Sequence, residues 1–353
     1  MKKMVIDGRH LTGTVRGGVQ RYLSEILAEL DKIAEPGEYE ILIPEKTDIL
    51  SEYTNIGVVK YGKLQGLLWE QICLPLYLWK KRLYGVFPCT IVPILYPRGI
   101  AVLHDVMMAK QPELGDSFSS SAARKLLLLN YKIAAGHADI VCTVSEHSKK
   151  DISELYGTEL DKICVIGNAW QHIRRIGTDD SWMKKYPQMK EGEYYFSLSA
   201  NRKQKNFKWI YEMAKRHPDA VFAMAGTQEE WQREQEYEAP NIIHMGYLSD
   251  EAVKSCMRHC KAFLFPSLYE GFGIPPMEAL AVGAKIVVAR TSCLPEIYKD
   301  SAYYIDPYCY DYDLEQLLNG TTAPEDAVLS RFSWELSARK LHEVCRRLLS
   351  ESR

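Results

Sequence analysis

The sequence predicts an α/β chain built as two doubly wound domains, each a mostly parallel sheet with helices on its faces. Three observations predict it. Short apolar runs bounded by Gly, Pro, Asn or Asp alternate with longer stretches of helical period, the sequence form of repeated βα units. The alternation comes as two consecutive series, separated by residues 170–193, a polar stretch with Asp179, Asp180, Ser181, Lys184, Lys185, Pro187 and Gly192 that suits a linker. The length of 353 residues leaves room for two medium domains that each bury a core.

In the first series Met4-Val-Ile6, Glu40-Ile-Leu-Ile43, Thr90-Ile-Val92, Ile100-Ala-Val-Leu103 and Ile140-Val-Cys-Thr-Val144 read as strands, being short and rich in β-branched residues. Residues 20–33 and 122–135 carry apolar side chains at helical spacing and read as helices. In the second series the strands are Tyr195-Phe-Ser-Leu198, Val221-Phe-Ala-Met224, Ile242-Ile-His-Met245, Ala262-Phe-Leu-Phe265 and Lys285-Ile-Val-Val-Ala289, with helices over 207–216, 250–259 and 276–282. The boundary falls near residue 170, giving domains of 1–170 and 171–333. Ligands of such folds bind beyond the carboxyl ends of the strands, so the cleft between the domains is the expected site.

Composition removes several classes of function. A hydrophobic fraction of 46% with 25% charged residues is ordinary for a globular chain and sets aside disorder and a multi-span membrane protein. Lys+Arg 44 against Asp+Glu 46 leaves a net charge of -2, with no global field for nucleic acid, so no nucleic-acid partner is expected and any anion must be held locally. The nine cysteines are odd in number and sit mostly singly in apolar runs, which fits a reducing compartment. The opening residues show no signal-peptide pattern, and nowhere do 18 apolar residues run together, so a cytoplasmic location is expected.

The densest local signal is Ser267-Leu-Tyr-Glu270-Gly271-Phe272-Gly273-Ile-Pro275-Pro276-Met-Glu278-Ala-Leu-Ala. A strand ends, a glycine-punctuated loop follows, and the two prolines suit a first helical turn, whose N–H groups lack partners anyway. Such a loop leaves backbone N–H groups free for an anion, and the helix dipole adds positive potential. Glu270 and Glu278, one before the loop and one in the helix's first turn, can face one pocket as acceptors for sugar hydroxyls. A glycine-rich turn with a favourably placed first-turn Glu is the plainer alternative.

With seven residues between them, and embedded in E-G-F-G-I-P-P-M-E-A-L-A, Glu270 and Glu278 closely resemble the E-x7-E motif of the retaining glycosyltransferases of family 4 (glycosyl transferases group 1), which have the two-domain GT-B fold. The resemblance extends over nearly the whole chain. Gly17-Gly18-Val-Gln-Arg-Tyr22 looks like that family's N-domain glycine loop, His104-Asp105 like its His after a central strand, and Val144-Ser145-Glu-His-Ser148 like its V-S-x-x-S segment. Lys205-Asn206, Ala225-Gly226, Pro295-Glu296 and Arg331-Phe-Ser-Trp334 resemble later family segments, the last opening a helix, residues 334–353, that returns to the first domain.

The resemblance implies roles. Glu278 would hold the ribose diol of a nucleotide diphosphate-sugar, and Glu270 would meet hydroxyls of the transferred sugar. N–H groups of Gly271, Phe272 and Gly273 would face the sugar and diphosphate, while Lys205, helped by Arg202, would neutralise the leaving diphosphate. His104 would touch the sugar or the reaction centre, with a core His bonded to backbone as the plainer reading. Gly17 and Gly18 would let backbone approach donor or acceptor.

Three other patterns invite a function and are set aside. Asp311-Tyr-Asp313 imitates a metal-binding D-x-D, yet it precedes Leu314-Glu-Gln-Leu-Leu318, where an Asp is a helix cap. Cys256, His259 and Cys260 stand at metal-ligand spacing, but no second ligand pair lies at zinc-finger spacing. The segment 67–79, followed by Lys80-Lys-Arg82, combines aromatics with a basic end; the family's W-x-Q-x-x-L-P block favours a buried helix, with peripheral membrane contact as the alternative.

The expectation is therefore a cytoplasmic, metal-independent retaining glycosyltransferase without a cofactor, taking a nucleotide-sugar donor and a glycan or lipid-linked glycan acceptor of a bacterial surface polysaccharide. A nucleotide-sugar epimerase of the same fold, or a catalytically silent nucleotide-sugar binder, is the alternative.

Overall fold

The computed structural model describes residues 3–11, 17–49, 51–115, 121–198, 203–226 and 239–351. These fall into two compact units, one of residues 3–110, 121–168 and 334–351, the other of 111–115 and 169–333.

The first unit is built on a seven-stranded parallel sheet in the order β3-β2-β1-β4-β5-β6-β7. Its strands are β1 (Met4–Asp7), β2 (Tyr39–Ile43), β3 (Gly57–Lys60), β4 (Tyr84–Phe87), β5 (Gly99–Val102), β6 (Ile140–Thr143) and β7 (Ile163–Val165). Met4 stands opposite Tyr39 on one side and Tyr84 on the other. β1, β2, β5 and β6 are buried at every position, as parallel strands covered on both faces must be, and this is why each carries a short apolar run. β3 is an edge strand and mostly exposed, so it left no such run.

The sequence reading placed a strand at 90–92. The strand is instead β4, and Thr90 turns the chain with φ 71°. Gly85 makes β4 look unlike a strand, while β5 was read over 100–103; the two backbones need the space between them: a Cβ on Gly99, whose φ is +133°, would fall 1.9 Å from the Gly85 carbonyl oxygen.

Helix α1 (Gly18–Ile33) buries Tyr22, Leu23, Ile26, Leu27 and Leu30, a stripe worth about 2 kcal/mol per side chain in area removed from water. Residues 66–81 form one continuous helical segment whose middle, Trp69–Cys73, is a π-turn, and whose last part is α2 (Leu74–Lys81). The sequence reading favoured a buried helix here. Only one face is buried; Leu68, Ile72, Leu76 and Trp79 on the other are exposed. After α3 (Ser121–His137), α4 (Glu146–Tyr156) explains the V-S-x-x-S pattern locally: Ser145 is its N-cap, its Oγ accepting the Ser148 N–H at 3.1 Å.

The second unit holds a six-stranded parallel sheet in the order β10-β9-β8-β11-β12-β13. The strands are β8 (Tyr194–Leu198), β9 (Val221–Ala225), β10 (Ile242–Gly246), β11 (Ala262–Phe265), β12 (Ile286–Ala289) and β13 (Tyr303–Ile305). The stretch read as a polar linker is folded onto this unit. It opens with α5 (Gln171–Arg175), and Trp182 is buried with its Nε1 donating to Ser255 Oγ at 2.9 Å. α6 (Phe207–Arg216) packs Phe207, Trp209, Ile210 and Met213 into the core beside β8, β9 and β11. Further along lie α7 (Asp250–His259), α8 (Ile274–Ala281) and α9 (Leu314–Leu318). α9 is capped by Asp313, whose Oδ1 accepts the Gln316 N–H at 3.0 Å, the role the sequence assigned to it.

The last helix, α10 (Trp334–Glu351), belongs to the first unit, where its Trp334 meets Tyr22 of α1 edge-on and Ser337 Oγ donates to the Gly167 carbonyl at 2.5 Å. All nine cysteines are free thiols, and Cys256 and Cys260 are buried. Among the described residues no helix is long and apolar enough to cross a membrane, and no group of three or more His, Cys, Asp or Glu is placed to hold a metal ion.

Candidate active site

The order of the second sheet locates the site. From β8 the chain runs outward through β9 and β10, then returns to place β11 on the other side of β8, so the loops leaving β8 and β11 part company there. At such a switch point the carboxyl ends of the strands leave a crevice for a ligand. Lys205 and Asn206 follow β8, and Glu270 to Gly273 follow β11. Lys205 Nζ donates to Glu270 Oε1 at 2.6 Å, and its ammonium lies 4.8 Å from the centre of the Phe265 ring.

Both loops are pinned. Asn206, in a left-handed conformation before α6, donates from Nδ2 to the carbonyls of Pro266 at 3.2 Å and Pro307 at 2.9 Å. The Leu268 N–H reaches the Gln204 carbonyl at 2.7 Å, and the Glu270 N–H reaches Ser292 Oγ at 3.0 Å. Glu270 and Lys205 are thus held at both ends by backbone that cannot drift. Arg202, the second basic residue expected here, lies outside the described residues.

The glycine loop is equally fixed. Gly273 has φ +83°, and a Cβ there would meet Leu294 Cδ2 at 2.8 Å, so only glycine fits. Tyr298 Oη donates to the Gly273 carbonyl. Gly271 and Phe272 are buried, and the Phe272 ring packs edge-on against Phe332 with centroids 5.2 Å apart. The phenyl group therefore anchors the loop from inside, and what the loop can offer a ligand is backbone N–H groups before the N-terminus of α8.

Glu278 was expected in the first turn of a helix starting at Pro276. The helix starts at Ile274, which puts Pro275 and Pro276 in its first turn and Glu278 one turn further in. Its carboxylate is buried, and His172 Nε2 lies 2.6 Å from Oε1. The sequence reading did not find His172. It follows the last residue of the first unit by four positions, in a stretch read as linker, and no local pattern marks it.

Gly17, Gly18 and His104 belong to the first unit. Gly17 is the N-cap of α1, with its N–H donated to Gln20 Oε1 at 2.7 Å, and Gly18 is the first residue of that helix. Four positions on, the Tyr22 ring meets the His104 imidazole edge-on at 4.8 Å, which links the glycine pair to His104. His104 stands two residues past β5 and its Nε2 lies 2.9 Å from the Pro88 carbonyl; burial lowers its pKa, so the ring is neutral at physiological pH.

This sheet also has a switch point, between β1 and β4, and there the structure holds a group the sequence reading missed. Asp7 ends β1, Glu70 comes from the π-turn, and both are almost wholly buried. Arg9 Nε lies 2.8 Å from Glu70 Oε1. Burial and then the neighbouring Asp7 push Glu70 up to about 9, so that it holds a proton at neutral pH. Arg9 Nη2 also donates to His10 Nε2 at 2.6 Å, and burial lowers His10 to about 4, which keeps it a neutral acceptor.

Comparison with known proteins bears on the family resemblance and the fold. Residues 178–319 match the family model described as glycosyl transferases group 1. The chain is 24% identical over 267 residues to the O-antigen chain mannosyltransferase B of Escherichia coli, covering 69% of each chain. It is 24% identical to the Escherichia coli serotype-specific mannosyltransferase WbdA over 72% of its own length, but spans only 34% of that longer protein. Among solved structures, the sucrose-phosphate synthase of Thermosynechococcus elongatus superposes with a TM-score of 0.74 at 13% identity, covering 99% of this chain and 100% of that one. The Anabaena protein HepE, solved in complex with UDP-glucose, gives 0.60 at 15% identity, covering 99% and 95%. Over residues 178–319 the chain is thus similar to the glycosyl transferases group 1 family, and its fold is GT-B.

Proposed function

We propose that this protein is a retaining, metal-independent glycosyltransferase of family 4 that moves a hexosyl group from a nucleotide diphosphate-sugar to a hydroxyl of a glycan or lipid-linked glycan, in the cytoplasmic assembly of a bacterial surface polysaccharide. The observation that carries this reading is the Lys205–Glu270 pair, 2.6 Å apart at the switch point of the second sheet. An ammonium at that place supplies positive charge where a departing diphosphate develops negative charge, the service a metal ion gives elsewhere. With three N–H donors, Lys205 can keep Glu270 and still reach a phosphate oxygen.

Around this pair the other roles follow. The loop N–H groups of Gly271, Phe272 and Gly273 face the diphosphate, with the dipole of α8 behind them. Glu278 takes the ribose diol, its carboxylate oxygens each being able to accept more than one hydrogen bond. Glu270 accepts from the sugar. His104 and the Gly17-Gly18 turn serve at the reacting end, and Arg202 assists Lys205. In the reaction the bond from the anomeric carbon to the diphosphate oxygen breaks, the acceptor oxygen bonds to that carbon on the same face, and the acceptor's proton passes to the leaving diphosphate. The mannosyltransferases among the relatives support mannose as the first sugar to test.

The test is thermal stabilisation by UDP, GDP, dTDP and their common sugars, with and without EDTA, repeated on Glu278→Ala. A ligand at 100 times its Kd stabilises by about 2.7 kcal/mol, which moves the midpoint measurably. A shift with one nucleotide, indifferent to EDTA and lost in the variant, establishes the donor site. Its absence with all of them, in folded protein, overturns the assignment.

A further inference from the structure

We infer that the outward face of residues 64–82 in the first unit docks on an anionic lipid surface. The segment has two faces of opposite surroundings. Trp69, Glu70, Leu74 and Leu78 point inward and are at most 1% exposed, and Trp69 Nε1 donates to the Tyr61 carbonyl at 2.6 Å. The segment is therefore firmly seated. Outward stand Leu64, Leu67, Leu68, Ile72, Leu76 and Trp79, with exposures from 36% to 64%. These are six of the 14 exposed large apolar side chains among the described residues, gathered within 16 positions. The loop that begins at Val92 is tied to the same segment, its Ile94 N–H bonded to Gln71 Oε1 at 3.0 Å, and the next residue, Leu95, is 87% exposed. Apolar residues scattered over a surface need no explanation, but a stripe of this kind marks an interaction.

Charge selects the occupant. From Tyr61 to Leu83 the basic residues are Lys63, Lys80, Lys81 and Arg82, and the one acidic residue, Glu70, is 1% exposed. The whole chain carries a net charge of -2, so this excess is local. Lysines and an arginine flanking a stripe of Leu, Ile and Trp suit an interface where headgroups are anionic and the boundary beneath them is apolar. A symmetric pair of these chains would bring Lys80, Lys81 and Arg82 onto a segment, residues 61–83, whose one acid, Glu70, is buried. The inference is independent of the glycosyl transfer proposed above, although a lipid-linked acceptor would be presented at such a surface.

The experiment is co-sedimentation of the full chain with vesicles of phosphatidylcholine alone and of phosphatidylcholine with phosphatidylglycerol, at about physiological ionic strength. Two variants accompany it, K80E/K81E/R82E and L68S/W79S, with the melting midpoint of each free protein as the folding check. The wild type is expected to sediment with the anionic vesicles and poorly with the neutral ones. Charge reversal is expected to weaken binding by about a hundredfold, and the apolar variant by about tenfold or more. No binding to anionic vesicles, or binding that neither variant weakens, overturns the inference and leaves the face to a protein partner. A wild-type dimer in sedimentation velocity that L68S/W79S dissociates also overturns it, assigning the face to a second copy. No arm of the experiment uses a nucleotide-sugar, so its failure and that of the proposed reaction are separate results.

Discussion

Lys205 and Glu270 share a hydrogen bond of 2.6 Å across 65 positions of sequence because the loops after β8 and β11 leave neighbouring strands at the point where the second sheet changes direction. Neither side chain is more than 17% exposed, so each relies on the other in the unliganded protein. Under the proposed function Lys205 would serve the leaving diphosphate in the donor complex. Lys205→Ala is expected to lower kcat by about 100- to 1000-fold, the usual effect of deleting one preorganised stabiliser of developing charge. Steady-state kinetics on the identified donor decide this. A change confined to KM would make Lys205 a binding residue only.

The His172–Glu278 pair leads to a stability prediction. Both side chains are at most 9% exposed, and their contact joins α5, at the entry to the second unit, to α8 behind the glycine loop. His172→Ala leaves a buried carboxylate without this partner, and the expected loss is about 3 kcal/mol. The donor's affinity should fall with it, because Glu278 is then no longer held in place. Chemical denaturation and nucleotide binding read the two effects separately; unchanged stability would mean that the buried pair is replaced by water without loss.

Gly273 is the point where the loop tolerates no side chain. Its φ of +83° is strained for any other residue, and an added methyl would press on Leu294 at 2.8 Å. Gly273→Ala should therefore destabilise the chain by about 1–3 kcal/mol and tilt the loop N–H groups away from an anion. Gly17→Ala is the control, since a Cβ there meets nothing closer than 3.8 Å and φ is -87°. A comparable loss at both positions in thermal denaturation would refute the steric argument.

What could be read from the sequence depended on how local its cause was. β6 and β11 are buried at every position, so the runs Ile140-Val-Cys142 and Ala262-Phe-Leu-Phe265 announced them. The stretch from Glu270 to Glu278 was legible because a strand end, a glycine loop and a helix start are contiguous. β3 was illegible because an exposed edge carries no apolar run, and β4 because Gly85 stands inside it, where a Cβ would meet the Phe87 ring at 2.3 Å. His172 and the Asp7–Glu70 pair were missed for another reason. Their partners are 106 and 63 positions away, and only the sheet order brings them together.

That second pair gives the sharpest pH dependence. Glu70 titrates near 9 in the folded protein, raised by burial and then by Asp7, and near 4.5 when it is free of both. Between these values the folded chain holds a proton that the unfolded chain has released, so the Glu70 contribution to stability is complete at low pH and fades as pH rises towards 9. Asp7 is shifted the same way by burial, and the two titrate as a unit. Glu70→Gln supplies a permanently neutral group of the same size. At pH 5 the variant should match the wild type, and at pH 9 it should be the more stable of the two, with the gap widening steadily between. Denaturant midpoints at pH 5, 7 and 9 on both proteins test this. A gap that does not change with pH would show that Glu70 is charged in the fold, with Arg9, 2.8 Å away, as its counter-ion.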